Sequence, residues 1–199
     1  MLPKIRFVYS SIYDSGYRDS KWVNEFLKKK KQKYPGEKQI LSYIKYIEKP
    51  WKKDEKKILK EILKITGLKW KEKEIKCYVI GFGRPISDPL TLGICKYKND
   101  FIDTLTHELI HQIQFQNEKK WTNWGNHLLK KYKKEPLLTK IHIFLHAIHW
   151  KLIEKLFGKK RLKKIINSDK NFKDYKRAWE IVEEEGPENI IKKFRELTK

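Results

Sequence analysis

All six histidines of this 199-residue chain fall between positions 107 and 149: His107, His111, His127, His142, His146 and His149. Imidazole binds transition metals and moves protons near neutral pH, so clustering of this kind is what a metal or acid–base site leaves in a sequence. The first pair lies in DTLTHELIHQIQ, where His107-Glu108-Leu109-Ile110-His111 sets two histidines four residues apart. On an α-helix that spacing brings both rings to one face, within reach of one ion. Glu108 projects about 100° round the helix, where it can contact a water on that ion without binding the ion itself. With 6 His and 17 Glu in the chain, chance supplies only about 0.015 such motifs. A second group, His142, His146 and His149, follows at i, i+4 and i+7 in IHIFLHAIHWKLIEKLF.

The elements that must position these groups can be read outward from them. Asn99 or Asp100 can cap a helix through the first pair, with Asp103 in its first turn. Ile102, Leu105, Leu109 and Ile113 form its apolar stripe, roughly opposite the histidines, so the helix buries its back and presents a metal face. Residues 141–157 are apolar nearly all the way round and predict a buried helix. Just upstream, EIKCYVIGFGRPISDPLTLGICKY (74–97) is rich in β-formers and broken by Gly81, Gly83, Pro85 and Pro89. It predicts strands at 76–82 and 90–97 joined as a hairpin, on which facing positions could bring Cys77 near Cys95, although each cysteine reads more simply as a small buried residue.

The N-terminal part predicts a strand at 4–9 and a helix from Ser20 to Lys33, with Trp22, Phe26 and Leu27 inward and Pro35-Gly36 ending it. Helices follow at 38–48 and 52–66, the latter with a stripe of Ile58, Leu59, Ile62, Leu63 and Ile65 closed by Gly67. Beyond Asn99 the chain reads as helix to the end, with breaks near 121–126, 135–136, 158, 167–171 and 186–187. The C-terminal stripes (Phe172, Tyr175, Ala178, Trp179 and Val182, then Ile190, Ile191 and Phe194) read as core packing. The expected fold is α+β and predominantly helical, a single domain over 1–199. It comprises an N-terminal helical part (1–73), the hairpin and metal-site helices (74–157) and C-terminal helices (158–199).

Composition narrows the function classes. Aromatics at 13%, including seven Trp, exclude a disordered chain despite 36% charged residues. Two cysteines exclude a disulfide framework and a four-thiolate zinc site. No apolar run approaches the roughly 18 residues of a membrane span. MLPKIR carries no signal-peptide core, so a cytoplasmic protein is expected. The net charge of +22 comes from 41 Lys and only 6 Arg. Lysine solvates and attracts phosphate, whereas base reading favours Arg forks, so non-specific polyanion binding follows and sequence-specific DNA binding does not. The acidic run Glu183–Glu185 could dock on a basic cleft, but a solvated face is the simpler reading.

HELIH on a helix following a β-hairpin resembles the zincin metallopeptidases, over residues 74–117 and more loosely to about 157. The resemblance implies a zinc ion held by His107, His111 and a third protein ligand, with water in the open position. It also implies that Glu108 is the general base in hydrolysis of a peptide or protein substrate, which pairs as an added strand with the hairpin. The metzincin extension fails, because Gln114 and Asn117 stand where that pattern has Gly and His. The layout is similar to compact gluzincins, the minigluzincins, with His in place of their downstream Glu. His146, followed by the small Ala147, is the expected third ligand, with His142 facing substrate or orienting a ligand. His142 itself is the next candidate for the third ligand. His127 would be the ligand in a SprT-like protease acting on nucleic-acid-bound proteins. A basic nucleic-acid-binding protein with a structural zinc is the non-catalytic alternative.

Overall fold

Ile5 and Phe7 are buried while Lys4 and Arg6 are exposed, and this alternation forms β1 (Lys4–Val8). The chain then turns into α1 (Ser11–Arg18), whose N-cap Ser10 accepts a hydrogen bond from Tyr13 N–H. α2 (Lys21–Lys29) buries Val23 and Leu27. Leu27 is inward as expected, but Trp22 and Phe26 stand 42% and 40% exposed on another face of the helix. The two helices expected at 38–48 and 52–66 are one, α3 (Glu37–Thr66), unbroken at Pro50. Its buried positions Ile44, Ile47, Trp51, Asp54 and Ile58 keep a helical period across the proline. Burial of that continuous stripe outweighs the backbone bond that proline forfeits.

β2 (Glu74–Ile80), β3 (Ile86–Ser87) and β4 (Leu90–Gly93) complete a four-stranded mixed sheet in the order β1-β2-β4-β3. Here the expected hairpin is corrected. β2 and β4 pair in parallel, Tyr78 opposite Thr91, and the antiparallel hairpin is the short one between β3 and β4. Two reversals, at Gly81–Pro85 and at Asp88-Pro89, replace the single long turn read from the sequence. Cys77 consequently lies opposite Phe7 of β1, Cys95 falls beyond the end of β4, and both are free thiols.

α4 (Lys98–Phe115), α5 (Glu118–Lys131), α6 (Leu137–Phe157), α7 (Lys159–Asp169), α8 (Lys173–Glu185) and α9 (Pro187–Leu197) follow. The break expected at 121–126 is absent, because burial of Trp124 and Leu128 carries α5 through Gly125. The structure is a computed structural model that describes residues 1–198. It is α+β and mostly helical, and no described helix is long and apolar enough to cross a membrane.

The chain groups into two compact units. The first, Met1–Lys56 with Lys71–Gln112, holds the sheet. Phe7 on one face meets Trp51 of α3 and Phe101 of α4 edge-on, at centroid distances of 6.4 and 5.7 Å. Tyr13 of α1 packs on Tyr78 of the other face at 5.0 Å and its hydroxyl lies 2.9 Å from Thr91 Oγ1. The second unit, Lys57–Trp70 with Ile113 onward, is helical. There α6 is the central element, packed by α5, α7, α8 and α9. Phe144 stacks on Phe194 at 3.9 Å, and both rings pack against Trp124 in that core.

Candidate functional site

In the first unit, α4 presents His107 and His111 one turn apart, their ring centroids 5.3 Å from each other and inclined at 69°. Both are buried, as are Ile102, Leu105 and Leu109 on the supporting side of the helix. Glu108, between them in sequence, is 5% exposed. Ser87 of β3 donates its hydroxyl to Glu108 Oε2 at 2.5 Å, and Gln112 Nε2 donates to the Ser87 carbonyl. The edge strand of the sheet is therefore tied to the histidine helix at two positions one turn apart. Burial pushes the Glu108 carboxyl up to about 7, with the Ser87 hydroxyl bond pulling the other way. A proton is thus exchangeable at Glu108 near neutral pH.

In the second unit, α6 carries the other three histidines in its buried interior. His142 Nδ1 lies 2.7 Å from the Leu138 carbonyl, one turn back on the same helix. A carbonyl can only accept, so Nδ1 carries the proton, and burial holds the ring below its ordinary pKa and neutral. That tautomer leaves the lone pair on Nε2, the arrangement in which a backbone carbonyl orients a metal-binding imidazole. The ring also packs on Tyr175 at 4.3 Å. His146 is engaged differently. It stacks on Trp179 at 4.1 Å and 9°, and its Nε2 lies 3.9 Å from Asp169 Oδ2, which accepts the Trp179 indole N–H at 3.0 Å. His149 is wholly encased, and burial, with the Arg161 charge adding to it, pushes it down to about 3. His127 on α5 is half-buried against Trp124, 5.2 Å between centroids.

Among the described residues, one group of side chains offers ligand atoms close enough together to hold a metal ion: a ring nitrogen from each of His107, His111 and His142, all within 4.8 Å of one another. His107 and His111 are both in this group, its third member is His142, the next candidate from the sequence, and neither His146 nor His127 belongs to it. The i, i+4, i+7 spacing sets the three α6 histidines on one face, and the preference for His146 rested on its central place and on the small Ala147. What separates them is a carbonyl partner for one and an indole face for another, and neither is visible in residue spacing. Sequence reasoning also passed over Ser87 and Gln112, whose only signal was their neighbourhood to the turn residues and the histidine motif.

No family model, curated protein or solved structure matches the chain.

Proposed function

We propose that the chain is a zincin-like metal-dependent peptidase, its ion held by His107, His111 and His142, with Glu108 as general base. The observation that carries this reading is the set of three neutral-capable imidazole nitrogens within 4.8 Å of one another, with a buried carboxylate on the same helix turn as two of them. Three nitrogen donors suit a tetrahedral zinc with one open position. Zinc in that setting lowers the pKa of a coordinated water and polarises a carbonyl.

The chain's own residues divide the remaining work. Glu108, pushed up to about 7, can take a proton and return it to a leaving amine at neutral pH. Ser87 holds that carboxylate in place through Oε2, leaving Oε1 as the oxygen for proton transfer. Leu138 fixes the His142 tautomer through its carbonyl. β3 ends the sheet order, and that edge is where an extended peptide would add as a further strand. The substrate class that fits is an unfolded or extended polypeptide segment.

Metal content measured by mass spectrometry, together with cleavage of an unfolded protein, tests the reading. The wild-type chain should carry about one zinc. Glu108→Gln should keep its metal while turnover falls by about 10²–10⁴-fold. His142→Ala should lose the metal and His146→Ala should keep it. Absence of stoichiometric metal in the wild type, or undiminished cleavage by Glu108→Gln, would sink the proposal. A metal-replete protein with no cleavage of any unfolded substrate would point instead to a structural ion.

A further inference from the structure

α2 and the loop after β2 build a feature that the peptidase reading does not use. α2 turns Val23 and Leu27 into the core, yet keeps two large aromatic side chains outside. Trp22 and Phe26, one turn apart, are 42% and 40% exposed. Phe82, from the loop after β2, lies against both. It stacks on Phe26 at 5.1 Å and 19° and inclines to Trp22 at 6.1 Å and 49°. The three rings make an open aromatic platform within the first unit.

Cations frame it. Arg84 lies over the Trp22 ring at 5.7 Å and Lys30 over Phe26 at 5.8 Å. Lys21, Lys28 and Lys29 extend the positive field along α2 and are exposed. None of these five is ion-paired to a carboxylate among the described residues, and Glu25 is the one acid on the helix. Aromatic faces interleaved with unpaired cations are what a flexible polyanion with stackable bases requires.

We propose that this platform binds single-stranded nucleic acid, with bases stacking on Trp22, Phe26 and Phe82 and phosphates meeting Lys30, Arg84 and their lysine neighbours. A lipid surface fits less well, because the apolar face that an interfacial helix would insert, Val23 and Leu27, is already buried in the protein. A protein partner fits less well too, since the centre of a protein interface is depleted of charge and here cations cover the rings. The net charge of +22 attracts any polyanion. What distinguishes this surface is that ring contact makes the binding prefer unpaired bases.

The test is fluorescence anisotropy with an end-labelled oligothymidylate of about 12 nucleotides and the matching duplex, at roughly 50 and 150 mM salt. The wild type should prefer the single strand. Trp22→Ala/Phe26→Ala leaves the charge unchanged and should weaken single-strand binding at least about fivefold at the higher salt. Lys163→Ala/Lys173→Ala, which removes two exposed charges elsewhere, should weaken both ligands alike and keep the preference. Equal affinity of the wild type and the aromatic variant for the single strand would overturn the proposal. Stronger binding to anionic vesicles than to the oligonucleotide, lost in the same variant, would overturn it in favour of a membrane surface. Circular dichroism and zinc content of the variants separate these outcomes from misfolding and from failure of the peptidase reading.

Discussion

Glu108 sits between two opposing influences, burial raising its pKa and the Ser87 hydroxyl lowering it. The hydroxyl donates to the carboxylate, so it favours the charged form, which is the form a general base needs. Ser87→Ala removes that donor but leaves the Ser87 carbonyl, and with it the Gln112 bond that holds the strand to the helix. The Glu108 pKa should then rise, and the acid limb of kcat/KM should move to higher pH by about half a unit to one unit. A pH profile of the variant checks this, and an unmoved limb would remove Ser87 from any role in setting the base. At this scale the sequence was informative wherever covalent spacing decides geometry. His107, Glu108 and His111 are fixed relative to one another by a single helix. What distinguishes His142 from His146 was not legible, because the Leu138 carbonyl beside one ring and the Trp179 indole against the other are contacts that residue spacing does not encode.

The elements of the first unit are braced around Asp14, a carboxylate only 1% exposed. It accepts hydrogen bonds from Gly81 N–H at 2.9 Å, from the Tyr34 hydroxyl at 2.6 Å and from Arg18 at 2.9 Å. These bonds hold the end of β2, and so the start of the loop that leads to β3 and Ser87. Gly81 has no room for a side chain, since a Cβ there would lie 2.4 Å from the Tyr34 ring. Gly81→Ala should displace Tyr34, strip a partner from a buried charge and cost about 2–4 kcal/mol. Gly16→Ala is the matched control. It lies on α1 with nothing within 4 Å of the added Cβ, so it should stabilise by about 0.5–1 kcal/mol. Urea unfolding of both variants decides the matter, and a neutral Gly81→Ala would mean the loop is not held through Tyr34. The same region explains what stayed illegible among the elements. SIYDSGYR falls between the strand and the helix expected from periodicity, which assign it no element, and it is helix because Ser10 caps it and Tyr13 and Asp14 find distant partners. The parallel pairing of β2 with β4 likewise depends on where the chain reverses, which alternation within a strand does not encode.

For the whole molecule, acid sensitivity is expected to be set in the buried interior. The strands and helices that periodicity predicted are those whose buried stripes are regular, and α6 is the extreme case, apolar almost all round. That same burial encloses His149, whose pKa is pushed down to about 3 from the ordinary 6.5. Folded protein therefore holds the ring neutral in a range where the unfolded chain would protonate it. Above about pH 6.5 the two states bind the same number of protons at this ring, and it contributes no pH dependence. As pH falls from about 6.5 towards 3, the unfolded state binds one proton more, so stability declines at up to about 1.4 kcal/mol per pH unit from this group. His142, also held below its ordinary pKa by burial, acts in the same direction. Unfolding free energies measured in urea at several pH values between about 7.5 and 4.5, with a chelator present throughout to keep metal linkage out of the comparison, should therefore fall with pH. His149→Gln keeps a polar side chain of similar reach but cannot titrate, so its stability should decline less steeply by about one proton's worth of slope below pH 6. Identical slopes in the variant and the wild type would show that His149 takes up its proton without unfolding, and the acid sensitivity would then belong to other groups.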